Sequence, residues 1–266
     1  MKTFWDMFAG IGGFRLAAEA LGMQCTLSCE NDESARKTYT INFLPTEPYY
    51  YNFEHVDYFT PEVPDLITAG IPCQPFSVAG KRLAMEDSRY YLDDFITMIT
   101  TVEPKAFILE NVPGMWQYFT NEMERRLSRK GYTVHKEILR ASDYNIPTMR
   151  KRLYIVGMRG DYRNVFPKPV PLTNTLSQLL SGTWEKDAAY TIRVGGRRSG
   201  IDSRHNWDTY IVDGKEHLLT IDEAKKIMGF PDTFKFPVRE SIAWKQLGNS
   251  IVVPLVREII KEIVCG

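Results

Sequence analysis

Four short apolar runs, each followed by residues able to do chemistry, constrain the fold of this chain more than any other feature. The first, residues 4–8, leads into Ala9-Gly10-Ile11-Gly12-Gly13 and then into helical spacing over 14–21, with Gly22 as a stop signal. The second, 25–29, ends in Glu30, and Asp32 stands where the N-cap of a helix over 33–43 belongs. The third, 65–69, runs into Gly70-Ile71-Pro72-Cys73-Gln74-Pro75, and the fourth, 106–109, into Glu110-Asn111-Val112-Pro113. Strands alternating with helices predict a parallel sheet with right-handed crossovers. In such sheets ligands bind outside the carboxyl ends of the strands, where all four of these residue groups lie.

The chemistry can be read turn by turn. The glycine turn is not G-x-G-x-x-G, so a dinucleotide fingerprint is absent. Glycines still let the backbone approach a ligand closely, and Glu30 is an acidic residue placed to bond ribose hydroxyls, which favours a nucleoside-type cofactor. Cys73 lies in a loop stiffened by Pro72 and Pro75. The stretch 78–89, with glycine, charge and weak structural signals, reads as a long mobile loop that closes over a substrate. Helices are expected over 90–102 and 115–130, and a strand over 132–139. Arg150 and Arg152 lead into a strand over 153–158; alternate residues of an extended chain share a face, so their guanidiniums converge on an anionic or carbonyl-bearing substrate.

The formal net charge of zero leaves no global field to draw the protein onto nucleic acid or membrane, so any such binding needs a local patch. One exists. After Pro167, Pro169 and Pro171 the helical periodicity fades, and 166–240 reads as a separate small lobe. Its centre, Thr191-Ile192-Arg193-Val194-Gly195-Gly196-Arg197-Arg198, followed by Arg204, is the most basic stretch of the chain, as phosphate and base contacts require; a charge-rich surface hairpin would have the same composition. Residues 246–250 read as a turn opening a final helix over 251–264, whose apolar positions Ile251, Leu255, Ile259 and Ile263 form a core-facing stripe. The four cysteines and four histidines show no paired spacing, so no metal site is expected. With neither a signal peptide nor an 18-residue apolar run, a cytoplasmic protein with reduced thiols and no membrane contact is expected.

In this order, Asp6-Met7-Phe8-Ala9-Gly10-Ile11-Gly12-Gly13-Phe14, Pro72-Cys73-Gln74, Glu110-Asn111-Val112, Arg150-Lys151-Arg152, Gly229-Phe230-Pro231-Asp232 and Gln246-Leu247-Gly248-Asn249-Ser250 resemble the motifs of the bacterial cytosine-5 DNA methyltransferase family. The resemblance runs nearly end to end. It implies an α/β fold with a Rossmann-like S-adenosylmethionine-dependent methyltransferase sheet over 1–165, helices on both faces, and a small irregular β-rich target-recognition domain over 166–240. Residues 241–266 would return to the catalytic domain. It implies methyl transfer to carbon 5 of a flipped cytosine in double-stranded DNA, with Cys73 as nucleophile, Glu110 at the ring nitrogen, Arg152 at the carbonyl oxygen and Arg150 ordering the site. S-adenosylmethionine, leaving as S-adenosylhomocysteine, would lie against Phe8, Gly10, Gly12, Gly13, Glu30, Asn31, Asn52, Pro72, Leu92, Asn249, Ser250 and Ile251. DNA contacts would come from Gln74, Ser77, Lys81, Arg82 and Arg89, and in the lobe from Thr191, Ile192, Arg193, Gly195, Gly196, Arg197, Arg198 and Arg204. The expected protein is a bacterial or phage-encoded monomer paired with a cognate restriction endonuclease encoded alongside.

Three departures stand out. Asn52 occupies a position where the family usually has aspartate, Thr148 stands where the arginine motif usually begins with glutamine, and the lobe is short for the family. An RNA cytosine methyltransferase and a non-catalytic nucleic-acid-binding protein are the alternatives. The basic Gly-Arg stretch favours DNA over RNA, and the full set Cys73, Glu110, Arg150 and Arg152 speaks against a degenerate site.

Overall fold

The structure, a computed structural model, describes residues 1–57, 62–72, 83–160, 165–195 and 197–265, with side chains at all of these except 83–90 and 265. Among the described residues the centre is a seven-stranded sheet. Its strands are β1 (Thr3–Met7), β2 (Gln24–Cys29), β3 (Tyr49–Tyr50), β4 (Leu66–Gly70), β5 (Ala106–Asn111), β6 (Tyr132–Arg140) and β7 (Lys151–Arg159), in the order β3-β2-β1-β4-β5-β7-β6. The first five are parallel, and β7 runs antiparallel to both β5 and β6. Strand order reverses between β1 and β4. That is a topological switch point, and it opens a crevice beyond the carboxyl ends of these strands. The glycine turn follows β1 at this crevice, and β4 beside it leads through Ile71 and Pro72, where the described segment ends.

Alternation along the strands divides the core into two layers. Phe4 faces a cluster containing α1 (Gly13–Glu19), while Trp5 and Met7 face the opposite cluster. The first cluster also includes Leu255, Ile259 and Ile260 of α8 (Val253–Cys265); the second includes Leu92, Phe95, Ile96 and Ile99 of α3 (Leu83–Val102) and Leu127 of α4 (Asn121–Arg129). The apolar stripe on the last helix is buried as expected, with Ile251, Leu255, Ile259 and Ile263 no more than 4% exposed. Each such side chain contributes about 1.5–3 kcal/mol by burial. Helix α2 (Glu33–Phe43) begins at Asp32, whose carboxylate accepts the Ala35 N–H at 3.0 Å.

Three elements differ from the sequence expectation. Residues 83–89, expected as loop, form the first turns of α3, in keeping with the helix-forming Leu83, Ala84, Met85 and Glu86. The single helix expected over 115–130 is a 3-10 turn (Pro113–Tyr118) followed by α4, because Thr120 caps a new helix by accepting the Met123 N–H. Residues 246–249, expected as a turn, are the last turn of α7 (Glu240–Asn249), and Ser250 caps it.

Beyond β7 the chain forms the short helix α5 (Leu176–Leu179), the hairpin β8 (Thr209–Val212) and β9 (Lys215–Leu218), and α6 (Ile221–Ile227), opened by a Thr220–Glu223 capping box. Leu176, Trp184, Trp207 and Tyr210 from this region lie in the same hydrophobic cluster as α1 and α8. No described helix is long and apolar enough to cross a membrane.

Candidate active site

The end of β5 is the middle of the site. Glu110 pairs with Gly70 of β4 on one side and Tyr154 of β7 on the other, so it is inside the strand rather than just past it. It is 6% exposed, and Arg152 Nε lies 3.1 Å from its Oε1. Burial pushes the Glu110 carboxyl above the ordinary glutamate range, and the charges of Arg152 and Arg150 only partly offset this. The result is a carboxyl group held above its ordinary pKa and flanked by two guanidiniums. Arg150, 2% exposed, donates from Nη2 to the carbonyl oxygen of Ser250, the cap of α7. Arg150 and Arg152 therefore both act on Glu110 electrostatically, while Arg150 also ties the sheet edge to the segment after α7.

The next residue supplies a contact that the sequence reading did not assign. Asn111, 2% exposed, donates from Nδ2 to the carbonyl oxygen of Ile71 at 2.9 Å and accepts the Val112 N–H at 2.8 Å. It fixes the end of β4 two residues before Cys73. An asparagine directly after Glu110, at the end of an apolar run, was the available signal. Cys73, Gln74, Ser77, Lys81, Arg82 and Gly196 lie outside the described residues, as does the side chain of Arg89. Pro72 is exposed at the end of the described segment.

On the other side of the crevice, the turn after β1 carries Phe8 at φ +51° and Gly10 at φ +56°. The Phe8 backbone conformation is rare for a side chain with a Cβ and is characteristic of ligand-binding turns. Its ring stacks on Phe53 at 4.8 Å and meets Tyr91 edge-on at 5.6 Å. Glu30 is 8% exposed; its Oε2 accepts the Gly10 N–H and its Oε1 the Asp32 N–H, both at 2.7 Å. Burial raises the Glu30 carboxyl pKa, with those two N–H groups opposing. A Cβ on Gly10 would meet nothing within 4 Å, so this turn opens onto free space; one on Gly13 would lie 2.6 Å from Ile251 and 3.0 Å from the Ser250 hydroxyl. The glycine turn thus packs directly on the segment that Arg150 holds. Leu92 is fully buried, Asn31 and Asn249 are exposed, and Asn52 caps a 3-10 turn by accepting the Glu54 N–H at 3.3 Å. A buried carboxylate with lone pairs to spare, an aromatic wall and an open glycine backbone fit the ribose and adenine of a nucleoside cofactor.

Of the lobe residues, Ile192 is buried and Thr191 half-buried, while Arg193, Gly195, Arg198 and Arg204 are exposed. Arg197 is turned inward. It donates from Nε to Asp208 at 3.2 Å, from Nη1 to Glu240 at 2.9 Å and from Nη2 to the Leu219 carbonyl at 3.0 Å, with its guanidinium 4.1 Å above the Trp244 ring. In this structure Arg197, expected as a DNA contact, is an internal anchor, and the fully buried Asp208 beside it requires a counter-charge. Nothing in the local spacing distinguished Arg197 from Arg193 or Arg198; Asp208 is eleven residues away. Among the described residues no cluster of three or more His, Cys, Asp or Glu is arranged to hold a metal.

Comparison with known proteins agrees with this architecture. A family model for C-5 cytosine-specific DNA methylases matches residues 2–194 and 178–265. The type II methyltransferase M.HpaII of Haemophilus parainfluenzae is 32% identical over 317 residues, covering 98% of this chain and 88% of its own. M.HaeII of Haemophilus aegyptius is 33% identical (96% and 90% covered), and M.HhaI of Haemophilus parahaemolyticus 30% identical (96% and 92%). Two solved structures share the fold: a Spodoptera frugiperda DNMT2 mutant (TM-score 0.76, 17% identity, 99% of this chain and 100% of that one) and the Entamoeba histolytica methyltransferase EhMeth (TM-score 0.75, 18%, 100% and 98%). The match over almost the whole length, on top of a buried glutamate between two arginines at a switch-point crevice, makes this chain a member of the C-5 cytosine-specific DNA methylase family.

Proposed function

We propose that this cytosine-5 DNA methyltransferase draws its methyl group from S-adenosylmethionine and delivers it to a flipped cytosine in a specific duplex sequence, through a covalent Cys73 adduct. The observation that carries the proposal is the buried Glu110–Arg152 pair, bordered by Asn111, which anchors the strand end leading to Cys73. Bound S-adenosylmethionine would supply an electrophilic methyl group, with Glu30 at the ribose, Phe8 at the adenine and the Gly10 turn along its length. Asn31, Asn52, Pro72, Leu92, Asn249, Ser250 and Ile251 would complete its pocket.

The chain's own residues would do the rest. Carbon 5 of cytosine is a weak nucleophile, so the Cys73 thiolate adds to carbon 6 while Glu110 gives its proton to N3, converting the ring to an enamine. Arg152 holds the carbonyl oxygen, and Arg150 holds the sheet edge against Ser250. Carbon 5 would then take the methyl group in exchange for S-adenosylhomocysteine and give up its proton to water, and the electron pair of that C–H bond would expel the Cys73 thiolate as N3 returns its proton to Glu110. A free cysteine has a pKa of roughly 8.5, so the site must favour thiolate. Removing the cytosine from the stack would cost a few kcal/mol. Arg193, Arg198 and Arg204, with Gln74, Ser77, Lys81, Arg82 and Arg89, would meet the DNA. In a restriction-modification pair, a cognate endonuclease sharing the target would be encoded alongside; the enzyme would act as a monomer on DNA in the cytoplasm.

The test is transfer of labelled methyl from S-adenosylmethionine to duplex DNA and, in parallel, to RNA, with the parent chain and Cys73→Ser. The parent should label DNA and the variant should bind DNA without labelling it. Transfer by Cys73→Ser would reject the adduct, and labelling of RNA alone would reject the substrate. Bisulfite sequencing of DNA from expressing cells would then report the target sequence.

A further inference from the structure

Helix α7 touches three parts of the molecule that the proposed reaction must bring into register. Near its C-terminal end a Cβ on Gly248 would lie 3.0 Å from the backbone of Arg193 and Val194, so the exposed basic strip runs directly across the helix. Just beyond that end, the Ser250 carbonyl accepts from Arg150, and Ser250 with Ile251 packs on Gly13 of the glycine turn. At its start, Glu240 and Trp244 receive Arg197. The Trp244 indole donates to Glu240 Oε1 at 3.0 Å, and its ring meets Trp207 edge-on at 5.7 Å, while the Trp207 indole donates to the Gly195 carbonyl at 3.0 Å. Arg197 thus bridges the strip and β9 side, through Asp208 and Leu219, to α7, through Glu240 and Trp244.

We propose that Arg197 is a positioning residue that couples engagement of DNA by the exposed basic strip to the cofactor and to Arg150, with α7 as the connecting element. The proposal rests on the functional reading above. Geometry separates this role from a phosphate contact. Three N–H donors of Arg197 are held by two carboxylates and a carbonyl, and its face is covered by Trp244. Turning it outward would strip the fully buried Asp208 of its counter-charge, which costs more than one surface phosphate contact returns. Gly248 gives the strip and the helix a shared backbone surface, so a shift of one moves the other and the two segments that α7 carries into the crevice.

The coupling is measured as a thermodynamic linkage. S-adenosylhomocysteine is titrated calorimetrically into the parent chain, with and without a duplex carrying the sequence found by bisulfite sequencing. The same is done for Arg197→Ala, Arg197→Lys and Glu240→Gln. DNA should tighten S-adenosylhomocysteine binding by the parent about fivefold or more, in the usual range for coupled sites. Arg197→Ala should bring this factor below about twofold while each ligand alone binds within about threefold of the parent, and the two milder variants should fall between. A merely structural defect would weaken both separate affinities or lower the active fraction without selectively removing their product. The slope of log K for DNA against log salt should be unchanged in Arg197→Ala; a slope shallower by about one unit would make Arg197 a phosphate contact and overturn the proposal. If Arg197→Ala does not fold, Arg197→Lys and Glu240→Gln decide, and full coupling in both overturns it. A parent that binds neither ligand overturns the functional reading and with it the proposal; a parent that binds both, with coupling indifferent to Arg197, overturns the proposal alone.

Discussion

Burial sets the electrostatics of Glu110. Desolvation at the end of β5 raises its pKa even against the opposing charges of Arg152 and Arg150, in the direction that the proposed proton donation requires. Glu110→Gln keeps the shape and removes the transferable proton. It should lower single-turnover methyl transfer by about 10²–10⁴-fold, the ordinary yield of a positioned acid, while leaving equilibrium DNA binding nearly intact. Transfer within a few fold of the parent would take Glu110 out of the reaction. Among the described residues two thiols are shielded by the same effect. Cys25 and Cys29 are buried in β2, where desolvation drives the Cys25 thiol pKa far up and pushes Cys29 to about 12. Such thiols are inert. Iodoacetamide at neutral pH should therefore leave both unmodified in the native protein, as peptide mass spectrometry would show, and alkylation of either would mean that β2 opens readily.

At the scale of elements, β1 carries a cost that can be titrated. Asp6 is fully buried between β2 and β4; its Oδ1 accepts the Thr68 hydroxyl at 3.1 Å, while its Oδ2 has no hydrogen-bond partner. Burial raises its pKa well above the ordinary aspartate value, with the Thr68 hydrogen bond opposing. A folded-state pKa above the unfolded one means that the neutral carboxyl favours folding below about pH 4, the unfolded value, and that this contribution is lost as pH rises towards the folded pKa. Asp6→Asn cannot titrate. Its stability relative to the parent should therefore increase from pH 4 to pH 7 in urea denaturation, and a difference independent of pH would place the Asp6 charge elsewhere. The parallel strands were legible because their apolar runs are short and punctuated by glycine, proline and acidic residues. The boundaries that moved were decided locally: Thr120 capped a new helix and Leu83 to Glu86 extended α3. Long-range partners were less legible. Gly248 reads as a turn residue in sequence, but it lies in α7, where its missing Cβ leaves room for the backbone at Arg193 and Val194. Asp208, which turns Arg197 inward, is brought to it by the fold of the loop rather than by sequence spacing.

For the whole molecule, charge must act locally, since 33 basic and 33 acidic side chains cancel. A protein without a net field should bind DNA through few phosphates, with a shallow salt dependence and little steering from a distance. Among the described residues of the strip, Arg193, Arg198 and Arg204 are exposed on the side chain, whereas Arg197 is held by Asp208 and Glu240. The slope of log K against log salt falls by about 0.9 for each phosphate neutralised on duplex DNA. Arg193→Ala and Arg204→Ala should each make that slope shallower by about one unit and weaken binding similarly on all sequences, unless the arginine also reads a base edge. In that case the loss should be concentrated at one position of the target and amount to about 1–3 kcal/mol of discrimination. Fluorescence anisotropy over a series of salt concentrations, repeated on targets altered one base pair at a time, separates the two outcomes. A slope unchanged by either substitution would move the DNA off the strip altogether and remove the basis for assigning target choice to the 193–204 segment.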